Sequence, residues 1–105
     1  MVYFHGGNFQ IGQAEEWLDN KFSEVLTAVH VSVTYRLGAL GFNPLPALWT
    51  GDAEEDSGNF SVLDAIAALQ WVQRNIRAFG GNPDNLTVSG YSAGGRILTI
   101  LLIRP

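Results

Sequence analysis

Gly90-Tyr91-Ser92-Ala93-Gly94 is the stretch of this sequence best suited to chemistry. A Gly-x-Ser-x-Gly pentapeptide between a β-prone run and an apolar helical run has the pattern of a nucleophile elbow. Such a bend reverses a strand into a helix and holds one hydroxyl at its tip. Gly90 and Gly94 remove the side chains that would collide across it. The helix that follows aims its unpaired N–H groups and positive dipole end near the serine oxygen. The chemistry expected of Ser92 is nucleophilic attack through a covalent intermediate. The pentapeptide alone also suits an ordinary turn, so its surroundings must carry the assignment.

A second motif supports it. His5-Gly6-Gly7-Asn8-Phe9 follows an apolar, β-prone run. Ligand sites in open parallel sheets gather at the carboxyl ends of strands, where both motifs fall. A glycine-rich loop there leaves backbone N–H groups bare. Two of them converging with the N–H after Ser92 would form an oxyanion hole, each donor worth about 3–4 kcal/mol of barrier. A lone His-Gly-Gly is compatible with a turn. The pair, in this order and on parallel strands, is far more specific.

The elements that must position these motifs alternate. Strands are expected over about 1–4, 30–35 and 86–89, and helices over about 14–28, 61–79 and 93–103. Leu18, Phe22, Val25, Leu26 and Val29 recur at helical spacing, with Glu15, Glu16 and Asp19 early, as a helix N-terminus favours. Val62, Ile66, Leu69, Val72 and Ile76 form one apolar face, Ser61 and Asp64 suggest a capping box, and Gly80-Gly81 then Pro83 stop the helix. Residues 36–59 read as a long irregular connection. The final helix is apolar nearly all round and has nothing left in the chain to pack against. The order strand, helix, strand, helix, strand, helix predicts an α/β fold with a mostly parallel sheet. Three strands are too few to cover such a sheet, so the chain reads as the central slice of a larger domain.

Composition narrows the function. The 105 residues are 47% hydrophobic and 15% charged, which suits one small globular domain. A net charge of −4 argues against nucleic acid. There is no cysteine, and the two histidines are far apart, so neither a metal nor any other cofactor is expected. Asp52, Glu54, Glu55 and Asp56 read as a solvated acidic loop rather than a cation site. Met1 runs straight into a strand with no basic lead, unlike a signal peptide, which favours the cytoplasm. Ile97–Ile103 is too short to span a bilayer. No Gly-x-Gly-x-x-Gly follows a strand, so dinucleotide binding is not expected.

Val2–Gly12, Val33–Phe42, Gly58-Asn59, Ala68–Ile76 and Ala78–Gly94 together resemble the type B carboxylesterases, the cholinesterase-like branch of the α/β-hydrolases. The resemblance implies a partial α/β-hydrolase fold and a carboxylic ester hydrolase working through an acyl-enzyme on a small ester. Ser92 matches the catalytic serine. Ala93, Gly7 and Asn8 match the oxyanion donors, and Gly6 shapes their loop. Arg36 and Asp64 match a structural ion pair. The three strands would be the third, fourth and fifth of the family sheet, with the first between the other two. Residues 1–105 would be a single partial domain, truncated at both ends, with the acid and histidine of the triad beyond Pro105 and the rest of the hydrolase as partner. His5 is expected to brace the loop and His30 to serve at a strand end. Two departures stand out: Asn8 replaces a third glycine, and Tyr91 stands where glutamate is common. Two other readings remain, a non-catalytic binding domain of cholinesterase-like fold and an inactive truncated fragment. Retention of Ser92 between its glycines favours the enzyme.

Overall fold

The computed structural model describes residues 1–17 and 24–103. Three short parallel strands form its sheet: β1 (Val2–Phe4), β2 (Val31–Val33) and β3 (Val88–Gly90). Their order is β2-β1-β3, so the first strand is central. Val2, Tyr3 and Phe4 stand opposite Val31, Ser32 and Val33 on one side and Val88, Ser89 and Gly90 on the other. Residues of β1 are buried on both faces, as a central parallel strand requires. Its run of Val, Tyr and Phe meets that demand.

The helices are α1 (Gly38–Gly41), a single turn, then α2 (Phe60–Asn75) and α3 (Ala93–Ile103). Val2, Phe4, Val33 and Tyr35 pack with Ala65, Val72 and Ile76, and with Ile97 of α3, into one core. Each fully buried large side chain here contributes about 1.5–3 kcal/mol. The helical period of the sequence is therefore real in α2, where Val62, Ala65 and Val72 are buried, and it carries on to the buried Ile76 in the 3₁₀ turn that follows.

Several expectations need correction. Pairing covers Val31–Val33 rather than all of 30–35, and β3 runs from Val88 to Gly90 rather than 86–89. Backbone pairing to β1 sets these limits, and propensity cannot see it. The α-helix expected over 61–79 ends at Asn75 and tightens into a 3₁₀ turn, Ile76–Phe79, capped by Gly80 at φ 83°. The helix expected over 14–28 starts as a 3₁₀ turn, Ala14–Trp17, and residues 24–26 make a helical turn before Thr27 at φ 48°. Its middle, with Leu18, Asp19 and Phe22, lies outside the described residues. Val25 and Leu26, expected on an inner face, are exposed. The connection over 36–59 is less irregular than expected, holding α1 and two 3₁₀ turns, Pro46–Leu48 and Glu55–Ser57. The final helix does find a seat: Ala93, Gly94 and Ile97 are buried against the sheet, while Leu102 and Ile103 stay exposed.

The capping box also fails. Asn59 is the N-cap of α2 and makes no side-chain cap bond. The buried Ser61 hydroxyl instead donates to the Arg36 carbonyl. Asp64 accepts from the Arg36 backbone N–H at 2.9 Å, from Nε at 2.8 Å and from the guanidinium at 2.7 Å. These bonds tie the exit of β2 to the first turns of α2. The side-chain hydrogen bond from Arg36 holds the Asp64 carboxyl below its ordinary value of 3.8, with burial opposing it. A lowered carboxylate stabilises the fold above its unfolded pKa and loses that contribution as pH falls through the folded one. Asp64→Asn is therefore expected to cost about 1 kcal/mol at neutral pH, since Arg36 is half exposed. The gap to wild type should close in acid. Urea midpoints across pH check both statements.

Candidate active site

The carboxyl ends of β1 and β3 lie side by side, Phe4 opposite Gly90. The Tyr91 N–H donates to the Phe4 carbonyl at 3.1 Å, carrying the pairing one residue further. The chain then bends at Ser92, whose φ is +51°. For a serine this left-handed conformation costs on the order of 1–3 kcal/mol and persists only where its surroundings impose it. Those surroundings are visible. The Gly94 N–H closes the bend onto the Tyr91 carbonyl at 2.9 Å, and Arg96 donates to the Ser92 carbonyl at 3.1 Å. A Cβ on Gly90 would fall 2.5 Å from the Gly94 carbonyl carbon. One on Gly94 would fall 2.1 Å from the Phe4 carbonyl oxygen. Helix α3 thus starts directly on the backbone of the central strand, with Ser92 exposed above it.

The loop after β1 passes beside this serine. A Cβ on Gly6 would stand 3.2 Å from the Ser92 Cβ and 2.8 Å from the Tyr91 ring. Three consecutive residues then take positive φ: Gly7 at 110°, Asn8 at 55° and Phe9 at 61°. Asparagine tolerates this region, whereas phenylalanine is a steric outlier there. The Gly7 carbonyl accepts from Gln10 and Ile11, which turns the loop on itself. Among the described residues, the N–H groups of Gly7, Asn8 and Ala93 donate to no partner. The loop after β1 and the bend at Ser92 thus approach each other at Gly6.

His5 lies fully buried beneath the loop. Its Nδ1–H donates to the Gly6 carbonyl at 2.6 Å, and its ring stacks on Tyr35 at 4.4 Å. The Tyr35 hydroxyl donates to the His5 carbonyl at 2.6 Å. This makes His5 a brace for the loop. His30 sits just before β2, at the opposite end of the strands, with its ring 6.3 Å from that of Tyr3. Burial, then the positive amino terminus, lowers its pKa from the ordinary 6.5. Among the described residues no histidine hydrogen-bonds Ser92.

The acidic loop spends its carboxylates on its own turns. Asp52 accepts from the Glu54 and Glu55 backbone, and Asp56 from that of Thr50 and Gly51. Among the described residues no group of three His, Cys, Asp or Glu is placed to hold a metal. No helix of the described residues is long and apolar enough to cross a membrane. A cavity of about 510 Å³ opens against Met1, Val29, Ile76 and Leu86 at the far end of the sheet, so size does not mark this site.

Three residues near the site escape a sequence reading. Tyr35 looks like one more strand residue, yet it secures His5 from a separate strand end. Gly12 sits where a Cβ would lie 2.4 Å from His5 Nδ1, and its φ is +112°. Nothing in the spacing from His5 to Gly12 marks that approach. Phe42 meets Phe9 edge to face at 5.0 Å, and nothing in the sequence marks that pairing.

A model of the carboxylesterase family matches residues 1–105. The chain belongs to the carboxylesterase family. It is 43% identical over 105 residues to the cocaine esterase of Homo sapiens, covering all of this chain and 18% of that protein. It is 44% identical over 107 residues to the para-nitrobenzyl esterase of Bacillus subtilis (strain 168), again over its full length and 21% of that protein. A solved structure of a thermophilic PNB esterase superposes with a TM-score of 0.87 at 42% identity, over 99% of this chain and 21% of that one. The chain thus spans about a fifth of the length of these relatives. In carboxylesterase terms it carries a partial α/β-hydrolase sheet with its strand-to-helix bend and the loop beside it. Arg36, just after β2, and Asp64, in the first turns of α2, meet at 2.7 Å; by resemblance they match a structural pair.

Proposed function

We propose that this chain is the nucleophile-bearing portion of a serine carboxylesterase acting on small carboxylic esters. The observation that carries the reading is Ser92 at φ +51° on a bend whose next neighbour is the glycine loop after β1. The Ser92 hydroxyl attacks the ester carbonyl carbon and gives up its proton to a base. The negative oxygen of the tetrahedral intermediate then takes hydrogen bonds from the N–H groups of Gly7, Asn8 and Ala93. Collapse expels the alcohol and leaves an acyl-Ser92 ester, which water cleaves by the same route in reverse. Neither His5 nor His30 is assigned as the base. The histidine and carboxylate of the triad come from the remainder of the hydrolase domain, of which residues 1–105 form one part. No cofactor enters this chemistry. The positive end of α3 adds a favourable field at the developing oxyanion.

The test is covalent labelling of the full-length protein with a fluorophosphonate. Wild type is expected to label and Ser92→Ala to lose the label. Equal labelling of both would remove Ser92 as the reactive group. Absence of labelling in a folded full-length protein would favour a non-catalytic binding domain.

A further inference from the structure

We propose that Phe42 is a positioning residue that holds the oxyanion donors of Gly7 and Asn8 in place; the inference rests on the esterase reading above. Phe9 is a bulky side chain in left-handed backbone, immediately after those two donors. Left alone, such a residue relaxes to negative φ, and the donors before it turn with it. Phe9 packs against the edge of the hydrophobic core, and two further contacts, both from one place, oppose that relaxation directly. The Gly38 N–H donates to the Phe9 carbonyl at 2.6 Å, and the Phe42 ring packs edge-on against the Phe9 ring at 5.0 Å. Gly38 opens α1 and Phe42 follows it, with the Phe42 N–H donating to the Gly38 carbonyl at 3.0 Å. The single turn of α1 is therefore a clamp whose jaws are one amide and one ring.

The clamp itself is anchored. Gly41 has no room for a Cβ, because the Ser61 hydroxyl would lie 2.2 Å away. Ser61 and Asp64 grip Arg36, just before α1. A rigid path thus runs from α2 through α1 and the two rings to the loop. Among the described residues no hydrogen bond joins Phe42 to Ser92, Gly7 or Asn8, and its ring contact is with Phe9, through which its effect passes.

Phe42→Ala in the full-length protein should lower kcat about 10–100-fold for p-nitrophenyl butyrate, the range for a displaced oxyanion donor. KM should stay within about three-fold, because the donors act on the transition state. Rates are taken per Ser92 titrated with fluorophosphonate, so a partly unfolded sample does not imitate the effect. The Ki of a trifluoromethyl ketone, whose hemiketal oxygen fills the same hole, should rise in proportion to the loss in kcat/KM. Phe42→Tyr, which keeps the ring edge, should recover most of the rate. If Phe42→Ala does not fold, Phe42→Leu should still lose kcat, by about three-fold or more. An unchanged kcat per titrated serine, or a change in KM alone, overturns the proposal and leaves the esterase reading standing. Loss of Ser92-dependent labelling in wild type overturns both.

Discussion

Ser92→Gly and Ser92→Ala are expected to abolish ester hydrolysis alike yet differ in stability, the glycine variant being firmer by about 1 kcal/mol. The reason is the +51° φ at this position. A Cβ in left-handed backbone is strained whether it carries a hydroxyl or a hydrogen, and only glycine escapes. The two variants therefore remove the same oxygen but only one of them removes the strain. In the full-length protein, kcat/KM should fall about 10⁴-fold or more in each, as removal of a serine nucleophile does elsewhere. Urea midpoints give the stability difference. Equal midpoints would mean that the bend holds no strain at Ser92, and the physical basis of the elbow assignment would go with it.

Gly94→Ala should be a strongly disruptive single-methyl change. The added carbon would meet the Phe4 carbonyl oxygen at 2.1 Å, the Phe4 carbonyl carbon at 2.7 Å and the His5 oxygen at 2.9 Å. All three are backbone atoms of the central strand or the residue after it, so no side chain can swing aside. Helix α3 must lift from the sheet, which is expected to cost about 3 kcal/mol or more. The molecules that still fold carry a displaced serine and should turn over about 100-fold more slowly. Gly95→Ala is the matched control. There the nearest atom is the Gly90 oxygen at 3.4 Å, an ordinary contact, and alanine suits a helix better by about 0.5–1 kcal/mol. That variant should keep its activity and match or exceed wild-type stability. Similar losses in both variants would show that the helix start is sensitive to any added bulk, not to contact with β1.

The difference between these neighbours illustrates what a sequence can convey. Gly90, Gly94 and the apolar run after them announce a bend into a helix, because the sterics are local. Helix α3 accordingly runs over 93–103, as its pattern predicts. The sheet order was legible only through family resemblance, since nothing in Val2–Phe4 says which strands will flank it. Strand limits were misjudged because three-residue pairing is a property of two segments at once. Ser61 and Asp64 mimic a capping box in spacing, yet a partner twenty-five residues earlier claims the Ser61 hydroxyl. Phe9 is the clearest limit. No propensity assigns a phenylalanine to left-handed backbone, and its contacts with Gly38 and Phe42 come from far along the chain.

The central place of β1 also governs when this arrangement can come into being. Its partner on the serine side is β3, so loop and bend cannot meet until the residues between them have been synthesised and folded back. Closing so long a loop is entropically slow, and parallel crossovers are among the slowest steps in assembly. Loop and bend are therefore brought together by a single event, the docking of β3 on β1.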